Sequence, residues 1–279
     1  MSSNTKIIAE IASSHNGDLN LAKAMIKAAA EAGVDYVKFQ SWQAKNVKDT
    51  DPDKERYKTL ELSDEAHYEL IKECKKNGVE FLTSIFDRGR IPFLKKLGLN
   101  TIKIPSTYCN SEKMIKACRD NFKTVIVSTG MSSPEEVKKT SQLLKGHDFV
   151  LLHCVSIYPL PKEKVNLQRM LWLKELAPKW GLSDHYLGAE ASKIAIAMGA
   201  DFIEKHFTLS RHLPQIRHTV TLASNASSIT THEIADEPQV FKEICAWRDL
   251  VSEMMGNGRK EMWPEEKDVR KKYTNRLGN

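Results

Sequence analysis

The chain has 279 residues, 41% of them hydrophobic and 28% charged, with a formal net charge of +6. This is ordinary globular composition, with no long basic run or basic helix to indicate nucleic acid, and the modest positive charge suits small anionic substrates. No apolar run reaches the roughly 18–20 residues that span a bilayer, and the opening "MSSNTKIIAEIASSHNGD" lacks a signal-peptide pattern, so no membrane partner and a cytoplasmic location are expected.

Short β-rich runs alternate with helical patterns along the chain. "KIIAEIAS" precedes "LNLAKAMIKAAAEAG", where Gly33 is a stop signal. "YVKFQS" precedes "SDEAHYELIKECKKNG", with Ser63 as N-cap, and "EFLTSIFD" precedes "GRIPFLKKLG". "TIKIPS" is followed by "SEKMIKACRD", and "TVIVSTG" by "SPEEVKKTSQLL", where Ser133 and Pro134 occupy N-cap and N1. "FVLLHCVSIYP" leads to "NLQRMLWLKELA", "KWGLSDH" to "GAEASKIAIAMG", and "DFIEKHFTL", after a long loop, to "PQVFKEICAWRDLVSEMM".

Eight strand–helix pairs imply parallel strands with right-handed crossovers, and their number and length fit a single-domain (β/α)8 TIM barrel. The competing open sheet usually carries a G-x-G-x-x-G loop after its first strand, and "SSHNGD" stands there instead. Residues 1–258 form the expected barrel domain, and 259–279 a polar C-terminal extension. Ser210–Glu237, rich in Ser, Thr, Asn and His, is the longest irregular region. The five scattered cysteines, Cys74, Cys109, Cys118, Cys154 and Cys245, contain no C-x-x-C and are expected to be reduced packing residues.

In such a barrel the chemistry sits at the carboxyl ends of the strands. Those ends carry Glu10 with Ser14, His15 and Asn16; Lys38 and Gln40; Ser84 and Asp87; Lys103 and Ser106; Ser128 and Thr129; His153, Ser156 and Tyr158; Ser183, Asp184 and His185; and Glu204, Lys205 and His206. Lys38, Lys103, Ser106, Ser128 and Ser183 suit a phosphate or a carboxylate. His185 and His206, with Glu204 and Asp184 close by, suit a divalent metal whose shell substrate and water complete. His15 and His153 have two readings, site residue or satisfied core residue. Strand alternation sends Glu204 and His206 to one face and Lys205 to the other, where it needs a carboxylate partner.

The stretch "AEIASSHNGDLNLAKAMIKAAAEAGVDYVKFQ", with "FLTSIFD", "KIPS", "VSTGM", "LLHCVSIYP", "GLSDH", "IEKHFTLSR" and "GNGRK" in that order, resembles the sialic acid synthase (N-acetylneuraminate synthase) family. The resemblance implies an enzyme condensing phosphoenolpyruvate with the open-chain aldehyde of an amino sugar, such as N-acetylmannosamine, to a 3-deoxy-2-keto acid and phosphate. It implies a divalent metal, Mn2+ by preference with Mg2+ or Co2+ as alternatives, on His185 and His206. Lys38, Ser84, Lys103, Ser106, Ser128 and Ser183 would grip phosphoenolpyruvate. Glu10, Glu204 and His206 would be catalytic, and Gln40, Ser156, Tyr158, Tyr108 and Arg217 would meet the acceptor.

Three departures from the family bear on the acceptor. Tyr108 in "KIPSTYCN" replaces an acidic residue, and Arg217 in "PQIRH" replaces an aspartate while His218 is kept. The family's C-terminal antifreeze-like domain, which reaches over a partner barrel, has no counterpart in these residues. A different, anionic acceptor, or a non-catalytic subunit that binds phosphoenolpyruvate, are the alternatives. A homo-oligomer is expected, with a separate lid-domain protein as a further partner.

Overall fold

A computed structural model describes residues 5–51, 53–214, 218–222 and 225–274. Eight parallel strands close into a barrel in sequence order: β1 (Lys6–Glu10), β2 (Tyr36–Ser41), β3 (Glu80–Ile85), β4 (Thr101–Ile104), β5 (Thr124–Ser128), β6 (Asp148–Cys154), β7 (Lys179–Asp184) and β8 (Phe202–His206). β8 pairs back onto β1, with Glu10 opposite His206, and this closes the ring. The eight-pair expectation holds, and no sheet edge is left open in the barrel.

The helices between strands are α1 (Leu19–Glu31), α2 (Lys54–Leu60), α3 (Asp64–Lys76), α4 (Ile91–Lys96), α5 (Glu112–Arg119), α6 (Pro134–Leu144), α7 (Arg169–Leu176) and α8 (Glu190–Ala197), with α9 (Pro238–Met254) after β8. Four of them, α1, α3, α5 and α6, start on a side-chain cap. Asp18 accepts the Asn20 and Leu21 amides, Ser63 accepts that of Ala66, and Ser133 with Glu136 forms a capping box. α2 is an extra short helix between β2 and α3. The exposed helix α10 (Pro264–Tyr273) follows α9 in the polar C-terminal stretch.

Strand alternation divides the apolar residues into two cores. Residues facing out from the barrel, such as Ile7, Val37, Ile102, Val127 and Leu151, pack against buried helix residues including Met25, Leu70, Ile115 and Leu173. Inside the barrel a smaller cluster of Ile8, Leu82, Ile126, Val150, Leu152 and Phe202 fills the lower layer. Each fully buried side chain of this kind stabilises by about 1.5–3 kcal/mol. Gly181 on β7 is required by close approach, since a Cβ there would lie 1.9 Å from the Phe202 carbonyl oxygen of β8.

The region Ser210–Glu237 is not wholly irregular. It contains an antiparallel pair, β9 (His218–Leu222) and β10 (Asn225–Ile229). Its Ser- and Thr-rich composition masked the alternation of "HTVTL".

Candidate active site

One layer above the apolar plug, the inward positions become polar. Glu10 lies in register with Lys38, Ser84 with Lys103, and Cys154 with Ser183, which is in turn opposite Glu204. These residues line a cavity of about 390 Å3 at the carboxyl ends of the strands, with Gln40, Ser106, Ser128, Ser156, Tyr158, His185 and His206. The strand ends therefore bring together the expected anion-binding, acceptor-side and metal-side residues, apart from Tyr108 and Arg217.

Two lysines and two glutamates form the base of this cavity, and all four are at least 94% buried. Lys38 Nζ lies 3.0 Å from Glu10 Oε2 and 2.8 Å from Glu204 Oε2, and donates to Ser84 Oγ at 3.0 Å. Lys103 Nζ donates to Ser128 Oγ at 2.7 Å and lies 3.4 Å from Glu204 Oε1, which also accepts from Ser183 Oγ at 3.0 Å. Gln40 Nε2 donates to Glu10 Oε1 at 3.0 Å.

This sharing separates the two carboxylates. Burial favours the neutral acid, but Lys103, Lys38 and Ser183 overcome it and hold Glu204 near 2. Burial dominates at Glu10; Lys38 opposes it, Glu204 adds to it, and the result is upward. Burial also draws Lys103 down to about 8, with Glu204 opposing and Lys38 assisting. Glu10 is thus the group better suited to carrying a proton, and Glu204 the one held ionised.

Two imidazoles stand over one side of this base. The ring centroids of His185 and His206 are 5.6 Å apart. His206 is pushed to about 3, chiefly by burial and then by His185 and Lys38, so it is neutral, and its buried Nδ1 has no hydrogen-bond partner. His185 Nδ1 donates to the Val155 carbonyl at 2.8 Å and Nε2 lies 2.9 Å from Tyr158 Oη; burial disfavours its charged form, but Cys154 and the Val155 carbonyl outweigh that and the net shift is upward. Two nitrogen ligands and an orphaned lone pair fit an open divalent-metal site. Among the described residues no group of three or more His, Cys, Asp or Glu gathers at one point, so further ligands would be water and substrate.

Several rim residues point elsewhere. Asp184 does not join the histidines. It faces outward, accepting from Ser192 Oγ at 2.7 Å and pairing with Lys205 at 3.1 Å. Lys205 also pairs with Asp236 at 2.9 Å and donates to the Tyr186 carbonyl. This buried cluster is the partner that strand alternation required for Lys205. It ties the turn after β7 to the segment before α9, where the Asp236 amide donates to the His206 carbonyl at 2.9 Å. His153 and His15 are core residues: His153 Nε2 bonds the Val165 carbonyl at 2.7 Å, and His15 Nδ1 accepts the Gly17 amide at 3.1 Å. Ser14 is fully buried, and Thr129 bonds the Leu152 carbonyl at 3.0 Å. A position at a strand's end does not by itself set the direction of its side chain; the phase of the alternation does.

Tyr108 lines a neighbouring cavity instead of this one, and Arg217 lies outside the described residues. Two features escaped the motif reading. Cys154 is not packing: it lines the pocket, with Sγ 3.9 Å from both ring nitrogens of His185. Burial alone would raise its thiol, but His185, Ser106 and Lys103 bring it down to about 7. Its inward phase with Val150 and Leu152 on β6 was the available signal. Gly130 lets backbone form the wall, since a Cβ there would meet Ser156 Oγ at 2.4 Å and Ser106 Oγ at 2.8 Å. The other cysteines are buried free thiols, and burial pushes Cys74, Cys118 and Cys245 up to about 12.

Residues 25–260 match the model of the NeuB family. The chain belongs to that family. An N,N'-diacetyllegionaminic acid synthase of Campylobacter jejuni is 37% identical over 95% of this chain and 82% of its own length. The human N-acetylneuraminate-9-phosphate synthase is 29% identical over 92% of this chain and 73% of its own. The crystal structure of the N-acetylneuraminic acid synthetase of Leptospira borgpetersenii superposes with a TM-score of 0.84 at 30% identity, covering 98% of this chain and 93% of that one. The expected family and fold are both found, and the chain is a sugar-acid synthase of the NeuB family. The relatives' names differ in the sugar acid made, so membership leaves the acceptor open. Among the described residues no helix is long and apolar enough to cross a membrane.

Proposed function

We propose that this enzyme condenses phosphoenolpyruvate with the open-chain aldehyde of an N-acylated amino sugar, giving a 3-deoxy-2-keto acid and inorganic phosphate. The observation that carries this reading is the buried pair of lysines, each backed by a serine hydroxyl and both beside Glu204, with Glu10 on Lys38 alone, next to two imidazoles. Lys38, Lys103 and the hydroxyls of Ser84, Ser106, Ser128 and Ser183 would hold the phosphate and carboxylate of phosphoenolpyruvate. The cavity of about 390 Å3 is large enough for that anion and the reacting end of a sugar.

A divalent ion, Mn2+ by preference with Mg2+ or Co2+ as alternatives, would bind His185 and His206 and supply Lewis-acid polarisation of the aldehyde. Gln40, Ser156 and Tyr158 would orient the acceptor. C3 of phosphoenolpyruvate attacks the aldehyde carbon, and Glu10, whose proton affinity burial raises, gives its proton to the new alkoxide. Water adds to C2 and loses a proton to Glu204. That carboxylate becomes a better base when the bound phosphate draws Lys38 and Lys103 away from it, because those ammonium groups are what hold it low. The bond from C2 to the bridging oxygen then breaks, phosphate leaves with the bonding pair and takes up the proton of the C2 hydroxyl, and C2 is left as a ketone.

Incubation with phosphoenolpyruvate, Mn2+ and a panel of N-acylated aldoses tests the reading. Release of phosphate together with a keto acid is expected for at least one acceptor; none with any acceptor would refute it.

A further inference from the structure

The turn after β6, residues 155–160, holds His185 from three directions. The Val155 carbonyl accepts from its Nδ1 at 2.8 Å, the Leu160 amide donates to its carbonyl at 3.2 Å, and Tyr158 Oη lies 2.9 Å from its Nε2. The rings of Tyr158 and His185 lie against each other, with centroids 4.1 Å apart and planes inclined by 33°. The His206 ring meets Tyr158 edge-on, at 5.8 Å and 74°. Tyr158 therefore stands against both imidazoles. Burial, then Cys154, Glu204 and Glu10, push its ionisation well above the ordinary 10, so it is a neutral hydroxyl able to donate one hydrogen bond.

The three contacts differ in what they ask of the ring. A carbonyl can only accept, so Nδ1 carries a hydrogen toward Val155 and Nε2 is the nitrogen left to ligate an ion. Ligation needs the one lone pair of Nε2, and a hydrogen bond to Tyr158 cannot coexist with it in either proton state of the ring. An ion on His185 thus breaks the Tyr158 bond and leaves the Val155 and Leu160 bonds in place. Tyr158 is only partly buried and lines the cavity with Gln40 and Ser156, so its hydroxyl has room to turn toward the acceptor side. We infer that Tyr158 is a switch between the metal and the acceptor: its hydroxyl covers the ligating nitrogen of His185, and binding of the ion there releases it to the acceptor. The inference rests on the proposed metal site and adds a coupling to it. Ion and acceptor each raise the other's affinity through this one hydroxyl, because the acceptor no longer has to compete with His185 for it.

Metal binding without turnover tests this. Mn2+ alone is titrated into the metal-stripped full chain, and the free ion is read by electron paramagnetic resonance. Tyr158→Phe keeps the ring against His185 and removes only the hydroxyl, so it is expected to bind Mn2+ about threefold to tenfold tighter than the parent, the factor that one hydrogen bond implies. A residue that merely supported the site would lose affinity on substitution, so a gain separates the two roles. Mn2+ should also give the parent a near-ultraviolet difference spectrum of tyrosine, as Tyr158 changes partner, and Tyr158→Phe should lack it. Equal or weaker Mn2+ binding in Tyr158→Phe, no tyrosine signal in the parent, or the same signal in both proteins would overturn the inference. His206→Ala reports on the metal site itself. Mn2+ binding that is absent from the parent, or unchanged in His206→Ala, would take the ion away from these histidines and the coupling with it, so failure of the site and failure of the switch are told apart.

Discussion

Replacing Lys205 by Met removes the cation at the centre of the buried cluster behind the site. Lys205 is 2% exposed, pairs with Asp184 at 3.1 Å and Asp236 at 2.9 Å, and donates to the Tyr186 carbonyl. Met keeps the volume but leaves two aspartates facing each other in a dry site, where Asp236 is already raised by burial, with Lys205 opposing. Removing one partner of a buried ion pair costs about 3–5 kcal/mol. For a chain of this size that corresponds to a melting temperature lower by on the order of 10 °C. The cluster also anchors the Asp236 amide on the His206 carbonyl at 2.9 Å, so Mn2+ affinity, read by electron paramagnetic resonance, should weaken along with stability. Urea unfolding of the parent, Lys205→Met, and the triple variant with Asp184→Asn and Asp236→Asn gives the balance; the triple variant should recover part of the loss, because no uncompensated carboxylate remains. A loss below about 1 kcal/mol in Lys205→Met would show that the cluster does not hold the strand end.

Lys103→Met should weaken phosphoenolpyruvate binding about tenfold or more by calorimetry, with the fold retained, because Glu204 keeps Lys38 at 2.8 Å and Ser183 at 3.0 Å; a change under about threefold would remove Lys103 from the anion site. His206→Ala should abolish turnover and Mn2+ binding while leaving the melting temperature within a few degrees, as the side chain's Nδ1 has no protein partner to lose. Burial holds His15 at about 4 against an ordinary 6.5, so below pH 6.5 the unfolded chain takes up a proton that the folded chain refuses. Its stabilisation is complete above 6.5 and is lost as the pH falls toward 4, by on the order of 3 kcal/mol; urea unfolding of the parent and His15→Asn should differ in slope across that window, and parallel profiles would contradict the assignment.

The barrel was legible because each strand carried its own period and α1, α3, α5 and α6 carried capping residues at their starts. "FIEKH" already implied that Glu204 and His206 share a face and that Lys205 needs an acid elsewhere. The partners themselves were not legible: Asp184 and Asp236 come from separate segments, and only the closed ring brings them to Lys205. Rim position without phase places Asp184 beside the histidines, whereas the alternation turns it outward. Cysteine count and spacing say nothing about which face a strand residue takes, so they do not single out Cys154. The neighbouring cavity that Tyr108 lines depends on α2, seven residues whose formation against Gly17 and the turn after β2 is a tertiary matter.

The central claim is most directly tested by phosphorus NMR of phosphoenolpyruvate labelled with oxygen-18 at the bridging position. The labelled anion is mixed with the enzyme, Mn2+ and an N-acylated aldose. Inorganic phosphate should appear with the isotope-shifted signal of one retained label, because the bond from C2 to oxygen is the one that breaks. Unlabelled phosphate, or none that depends on the aldose, would contradict the condensation at this site.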